Sequence, residues 1–488
     1  MNYAIILKSL STVLWIMALA FSVCIGVSIY YAENSLEANA IPSWICAVAM
    51  SSMAAFSLYV PSRNAPKRLF RKEAMCLIGL AWILASIVGA FPYIAILDCS
   101  IASALFESTS VITTTGSSVF SDFSNFPPSL MFWRCLSHWI GGLGVVVFFV
   151  TILSYLGAAG KMLYSNEASA DSGDFEAARI RSGIWNIVKL YLVLSICCFG
   201  AFKYFGMPTF DAICHTFSVV ATGGFSTQED SFATYNTEIL WTAIVFMFLG
   251  GTSFALMLAI SKLKFRKLIE NTEFWTYVLI IITAVSIVFT ILIYTTNQSI
   301  SETFTHSVFQ VVSIITTTGL SSQNYQIWLP STQIILLLLT VLGGCSGSTA
   351  GGLKISRALT SFRLCKREVE KSFRPRVVRN VFINGKSINK EEANDVLSFF
   401  VMYMLITAIS ITILALFEPK LSITGNITAI LASLSNVGPG FAEVGCNSTY
   451  GMLNAFSQMM LAFLMIMGRL EIYAILVLFM PSLWKKFQ

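Results

Sequence analysis

What most constrains this chain is how often it reaches the uninterrupted apolar length that a bilayer demands. A helix rising 1.5 Å per residue needs about 20 apolar residues to cross a hydrocarbon layer ~30 Å thick. Ten windows of that order recur along the 488 residues: 9–31, 42–60, 74–97, 131–156, 184–206, 239–261, 274–295, 333–360, 396–417 and 452–482. Charge is correspondingly scarce. Only 11% of residues are charged and 56% are hydrophobic, with a mean hydropathy of +0.74, whereas a soluble domain carries about 25% charged residues. Such a chain cannot coat a globule with solvated side chains, which excludes soluble enzymes, disordered proteins and nucleic-acid binders. The eleven cysteines are scattered through apolar stretches with no CxxC pair, so they read as small core hydrophobes rather than a disulfide framework or zinc site. The run Val13–Tyr31 is as long as a span and is expected to be the first span rather than a signal peptide.

Short cytoplasmic loops are enriched in lysine and arginine, and threading the ten spans on that rule sorts the cations sharply. Twenty-six of the 31 fall on one side, including Arg63, Lys67, Arg68, Arg71, Lys72, Lys161, Arg179 and Arg181, eleven between Lys354 and Lys390, and Lys485 and Lys486. Only Lys203 and Lys420 fall on the other, and Arg134, Lys189 and Arg469 lie within spans. Both termini are therefore expected in the cytoplasm of a multi-pass protein. Four opposite-side loops, 98–130, 207–238, 296–332 and 418–451, are too long and apolar to be connectors. Each opens with about a dozen residues able to form a half-length helix and then reaches a glycine-containing turn.

Aligned on one glycine per loop, these segments form an internal repeat. They read Ser110-Val111-Ile112-Thr113-Thr114-Thr115-Gly116, Phe217-Ser218-Val219-Val220-Ala221-Thr222-Gly223, Ser313-Ile314-Ile315-Thr316-Thr317-Thr318-Gly319 and Ala432-Ser433-Leu434-Ser435-Asn436-Val437-Gly438. A dehydrated monovalent cation needs oxygens in place of its water shell, and carbonyls from four converging loops, helped by threonine hydroxyls, provide them. Glycine permits the backbone angles that turn carbonyls toward one axis, and half-helices aim their partially negative C-terminal ends at the cavity. One TTTG turn means little; four in register between spans predict a potassium-channel-like ring. The expected fold is an all-α polytopic membrane protein with four pseudo-symmetric helix–pore-loop–helix units around one pore, preceded by an N-terminal two-helix unit. The units divide as 1–62 (two-helix unit), 63–160, 161–268, 269–365 with a gate loop, and 366–488 with a basic cytoplasmic segment and the fourth repeat.

The eighth span contains Gly343-Gly344-Cys345-Ser346-Gly347-Ser348-Thr349-Ala350-Gly351-Gly352, half of it glycine. Each glycine costs a helix about 1 kcal/mol relative to alanine, and non-helical backbone at membrane depth survives only inside protein or against a wet cavity. No strand precedes it and no GK[ST] follows, so it is not a phosphate loop; it is expected to be an intramembrane gate beneath the filter, or else a kink. Arg469, near Glu471 in the last span, is expected to raise an electrostatic barrier in the pore or to pair structurally with Glu471 or with carbonyls. Arg134 is expected to snorkel or to tie down a half-helix, and Lys189 to snorkel. The three histidines, His138, His215 and His306, are scattered without metal-ligand spacing, and no nucleophile–base pair suggests an enzyme.

With the four filter segments, the GGCSGSTAGGLK loop and the MGRLEIY stretch near the end, the chain resembles the TrkH/KtrB superfamily of potassium uptake proteins over essentially its whole length. The two extra leading spans resemble the TrkH type. The resemblance implies K+ as the transported ion, no organic cofactor, and Gly116, Gly223, Gly319 and Gly438 as filter glycines. Around them the filter is expected to comprise Thr114, Thr115, Ala221, Thr222, Thr317, Thr318, Asn436 and Val437. The resemblance further implies residues 343–352 as the gate, Arg469 as a pore-facing arginine, the bacterial inner membrane as the location, and a homodimer docked on a TrkA-like cytosolic nucleotide-binding ring. The fourth segment, Asn436-Val437-Gly438-Pro439-Gly440, departs from the threonine-rich pattern and none contains TVGYG, so selectivity over Na+ is expected to be real but looser. The basic stretch from Lys354 to Lys390 is expected to contact anionic lipid or an acidic regulator. A secondary transporter coupling K+ to H+ or Na+ is the alternative.

Overall fold

The computed structural model describes residues 2–65, 71–123, 125–155, 173–375 and 380–484. Lys67, Arg68, Lys161, Arg376, Arg379, Lys485 and Lys486, and the expected 160/161 boundary, lie outside the described residues. Two long helices, α1 (Tyr3–Tyr30) and α2 (Ser35–Ser62), form the leading pair. They are stitched by Ser11 Oγ donating to the Ala55 carbonyl and Ser51 Oγ to the Leu14 carbonyl, both at 2.8 Å. The pair is pinned to the next unit by buried Glu37, whose carboxylate accepts from Ser129 N at 2.6 Å and Ser129 Oγ at 2.7 Å.

Four helix–half-helix–helix runs follow. The first is α3 (Arg71–Leu97), α4 (Ile101–Ile112) and α5 (Pro128–Tyr155). The second is α6 (Gly173–Tyr204), α7 (Thr209–Val220) and the pair α8 (Thr237–Gly250) and α9 (Phe254–Ser261). The third is α10 (Thr272–Thr295), α11 (Ile300–Ile315) and α12 (Pro330–Val341), with α13 (Ile355–Phe373) beyond a non-helical loop. The fourth is α14 (Lys390–Phe417), α15 (Ile423–Ser435) and α16 (Ala455–Arg469) with the short α17 (Tyr473–Leu476). The half-helices are 12, 12, 16 and 13 residues long, too short at 1.5 Å per residue to cross a hydrocarbon layer ~30 Å thick. Serines at three N-termini explain where they begin: Ser100, Ser299 and Ser422 accept from Ser103, Glu302 and Gly425 backbone N–H groups, satisfying donors that a helix start leaves free.

Seven described helices are long and apolar enough to cross a membrane, and two bent pairs raise that to nine. The sequence reading of ten spans thus needs correction at the sixth and the tenth, which are bent, while the break expected in the eighth is present. Span 239–261 bends by 100° between α8 and α9, and span 452–482 bends by 112° after Arg469. The eighth is helix only to Val341 and resumes at Ile355. Long spans leave apolar side chains such as Leu19, Met53, Ile196 and Leu279 exposed, as lipid contact requires. The two largest parts of the core lie mainly one across the first and fourth units with α1 and α2 and the other across the second and third. A hairpin of β1 (Phe382–Ile383) and β2 (Lys386–Ser387), turned at Asn384-Gly385, is the only sheet among the described residues.

Candidate ion pathway

Every half-helix ends in the same hydrogen-bonded cap. Thr115, Gly223, Thr318 and Val437 donate to the carbonyls of Ser110, Ser218, Ser313 and Ala432 at 2.8, 2.7, 2.8 and 2.9 Å. One residue earlier, Thr114, Thr222, Thr317 and Asn436 donate to Val111, Val219, Ile314 and Ser433. This double bond pattern is the Schellman cap, whose left-handed residue is ordinarily glycine. Here that residue is threonine three times and asparagine once, at φ +52°, +53°, +55° and +55°. A β-branched residue in that region is an outlier costing about 1–3 kcal/mol, and such strain gathers at functional sites.

The glycine two residues after each left-handed residue also has positive φ: Gly116, Gly224, Gly319 and Gly438. The second turn therefore sits one residue later than the sequence alignment placed it. Gly224, not Gly223, matches Gly116; Gly223 occupies the position of Thr115, and Ala221 that of Thr113. Two adjacent glycines left that register ambiguous, and the cap hydrogen bonds decide it.

These glycines close a ring. A Cβ on Gly116 would stand 2.5 Å from the Gly223 carbonyl oxygen, and one on Gly438 2.6 Å from that of Thr115; on Gly224 and Gly319 it would overlap the carbonyls of Thr318 and Val437. The contacts run from first turn to second, second to third, third to fourth and fourth to first, each onto the residue after the left-handed one. Those four buried carbonyls, of Thr115, Gly223, Thr318 and Val437, accept no hydrogen bond among the described residues. Buried carbonyls almost always have a partner, and these four, each against the glycine of a neighbouring turn, have none among the described residues.

Side chains behind the turns fix them. Glu107, wholly buried in α4, accepts from Ser118 Oγ at 3.1 Å and Val119 N at 3.1 Å, and pairs with Arg134 at 2.7 Å. Arg134 thus ties down the first half-helix, as one sequence expectation had it. His215 bonds Ser226 Oγ at 2.9 Å, His306 bonds Ser322 Oγ at 2.9 Å, and Thr428 Oγ1 accepts from Phe441 N at 3.0 Å. Asn436 Nδ2 bridges Thr115 Oγ1 at 2.9 Å and the Met465 carbonyl at 2.8 Å. Glu107 escaped the sequence reading, although a lone carboxylate in an apolar half-helix was the available clue. Removing one partner of a buried ion pair leaves the other uncompensated, so Arg134→Ala should cost about 3–5 kcal/mol, read as a large fall in melting temperature in detergent. A loss below about 1 kcal/mol, as for a surface pair, would contradict this.

Under the ring lies the loop between α12 and α13, closed at its neck by Gly343 N to the Leu353 carbonyl at 2.8 Å and Leu353 N to the Val341 carbonyl at 3.0 Å. It occupies the α8–α9 bend: Thr349 N and Cys345 N donate to the Gly250 and Gly251 carbonyls at 3.1 and 2.9 Å. It also reaches the turns, with Thr222 Oγ1 3.2 Å from Thr349 Oγ1 and Gly351 N donating to Thr317 Oγ1 at 2.6 Å. Arg469 is buried with Nη1 donating to the Thr349 carbonyl at 2.6 Å, while Nε and Nη2 have no partner among the described residues. Glu471 pairs instead with Arg357 at 2.5 Å, so an Arg469–Glu471 pair does not form, whereas the expected carbonyl contact does. Lys354 Nζ closes the loop's far end on the Ala350 carbonyl.

The sequence profile of the TrkH family, described as a cation transport protein, matches residues 40–486. The Trk system potassium uptake protein TrkG of Escherichia coli (strain K12) is 31% identical over 476 residues, 96% of this chain and 96% of that one. TrkH of Salmonella typhimurium is 31% identical over 436 residues, 88% of this chain and 89% of the relative. The crystal structure of the potassium transporter TrkH from Vibrio parahaemolyticus superposes with a TM-score of 0.89 over 99% of this chain and 100% of that one, at 26% identity. These relatives are transport proteins, and the chain is a multi-pass transporter rather than an enzyme. With a family match spanning nearly the whole sequence and relatives this similar along it, the protein belongs to the TrkH family of cation transport proteins.

Proposed function

We propose that the chain takes K+ into the bacterial cell across the cytoplasmic membrane, through a channel-like pore whose filter is the ring of turns. The filter comprises Thr114–Gly116, Thr222–Gly224, Thr317–Gly319 and Asn436–Gly438, contributed by four pseudo-symmetric units. The observation that carries this reading is the set of four unpaired carbonyls in cyclic contact, backed by the C-terminal ends of four half-helices. Loop 343–352 is the gate, with Arg469 as a positive barrier on the ion's path. The carboxylates at membrane depth favour a pore over a proton-coupled carrier. Glu107 is held by Arg134, Glu37 by Ser129, and Glu273 by Ser346 N at 2.6 Å, so each is committed to a structural partner.

The test is flux into proteoliposomes with Rb+, Na+ and Li+ compared. Stepwise currents or unsaturated flux favouring Rb+ over Na+ by about tenfold, some 1.4 kcal/mol, is expected. Equal Rb+ and Na+ flux would remove the filter, and saturable flux driven by a proton gradient would favour the carrier.

Both termini face the cytoplasm in this reading, where two copies of the chain dock on a TrkA-like nucleotide-binding ring. Helix α13 supports it: Lys366 and Arg374 are exposed, and Phe362, Val369 and Phe373 stand exposed beside them. Replacing Lys366, Arg367 and Arg374 with glutamate should weaken co-purification with the ring by about tenfold, since each surface charge contributes on the order of 0.5–1 kcal/mol. Undiminished co-purification would place the docking surface elsewhere.

A further inference from the structure

In three of the four turns the residue whose carbonyl joins the ring is β-branched: Thr115, Thr318 and Val437. In the second it is Gly223, yet the space beside that residue is filled. A Cβ on Gly223 would overlap the imidazole of His138, with Nδ1 the nearest atom. His138 comes from α5, not from the turn's own unit, and is wholly buried. Its ring lies edge-on to Phe225 at 4.8 Å, and neither ring nitrogen has a hydrogen-bond partner among the described residues. Close helix approach makes this reach available. On the same helix a Cβ at Gly141 would overlap the Ile112 carbonyl, and one at Gly142 would stand 2.8 Å from Ala221 Cβ, so α5 is wedged between the ends of the first two half-helices.

In the first and third turns the slot's side chain also anchors the turn, and in the fourth the slot is filled by Val437. Thr115 Oγ1 lies 2.7 Å from Thr113 Oγ1 and Thr318 Oγ1 lies 2.7 Å from Thr316 Oγ1. The second turn has Ala221 and Gly223 at those places and so makes no such bond. Its two consecutive glycines are also the freest backbone in the ring, while a cage of carbonyls tells ions apart only if its size or field is maintained. We propose that His138 is the borrowed side chain of the second turn, a positioning residue that walls the Gly223 backbone and thereby sets discrimination between K+ and smaller alkali cations. This rests on the ion-pathway reading proposed above.

A swap tests it in the full-length protein. In proteoliposomes His138→Ala should still pass Rb+ but raise the Na+/Rb+ flux ratio about fivefold, a loss of about 1 kcal/mol of discrimination. Gly223→Thr with His138 in place should abolish flux through the collision. The double variant His138→Ala/Gly223→Thr puts the side chain back on the turn and should restore Rb+ flux and bring the ratio close to the native one. A purely structural histidine would change melting temperature without moving the ratio. An unchanged ratio in His138→Ala, native flux in Gly223→Thr, or a double variant no better than Gly223→Thr would each overturn the proposal. If His138→Ala fails to fold, the double variant still decides, since recovery of folded, selective protein supports the swap and continued failure refutes it. Native protein that passes Rb+ and Na+ equally would instead sink the filter reading itself.

Discussion

Replacing Arg469 with alanine is expected to raise Rb+ flux about tenfold or more. The guanidinium is buried, donates one bond at 2.6 Å to the Thr349 carbonyl, and leaves Nε and Nη2 without a partner among the described residues. Thr349 in turn touches Thr222 at the foot of the second turn. On the proposed pathway a cation leaving the ring would meet a fixed positive charge held one loop residue away. Two unit charges ~8 Å apart repel by about 2 kcal/mol at an effective dielectric near 20, a factor of about 30 in rate. Two controls separate charge from tether. Arg469→Lys keeps the charge and should change flux little. Arg469→Gln removes the charge but retains a donor for the Thr349 carbonyl. Fast Arg469→Gln puts the barrier in the charge; slow Arg469→Gln beside fast Arg469→Ala puts it in the hydrogen bond that holds the loop. If all three variants conduct like the native protein, Arg469 does not lie on the path.

Much of this was legible because it is local. Apolar run length gives the spans, a dozen apolar residues before a Thr/Gly turn give the half-helices, and five glycines in ten residues interrupt the eighth span. What escaped depends on residues far apart. Apolar character continues through Gly250-Gly251-Thr252-Ser253, and the 100° bend there leaves the Gly250 and Gly251 carbonyls to loop residues about a hundred positions later. Arg134 stood out as an intramembrane charge, but its partner Glu107 lies 27 residues earlier on another helix. Arg469 and Glu471 are two apart, a spacing at which helical side chains do not face each other. The chain moreover leaves the helix between them, with Glu471 at φ +58° and Ile472 at φ +60°. The register of the second turn was hidden by its glycine pair, and so was the need for His138.

Gly319→Ser should abolish uptake while leaving the protein folded. Two costs act at Gly319. At φ +76° a side chain meets the left-handed penalty, about 1–2 kcal/mol, and its Cβ would overlap the Val437 carbonyl and come within 2.8 Å of Pro439 Cδ. The second cost acts on the pathway, because the obstructed carbonyl is one of the four in the ring and must rotate or retreat to make room. Gly206 separates the two: it has φ +91° yet nothing within 4 Å of a built Cβ. Gly206→Ser therefore carries the backbone penalty alone and should transport nearly as well as the native protein. The ring itself supplies a ranking. Substitutions at Gly319 and Gly224, where overlap with the neighbouring carbonyl is deepest, should be the most damaging. Those at Gly116 and Gly438, where the Cβ would stand 2.5 and 2.6 Å from the facing oxygen, should retain more residual flux. Flux measured on all five serine variants at matched amounts of folded protein decides the matter. If Gly206→Ser is as inactive as Gly319→Ser, backbone strain and not displacement of the ring carbonyls accounts for the loss.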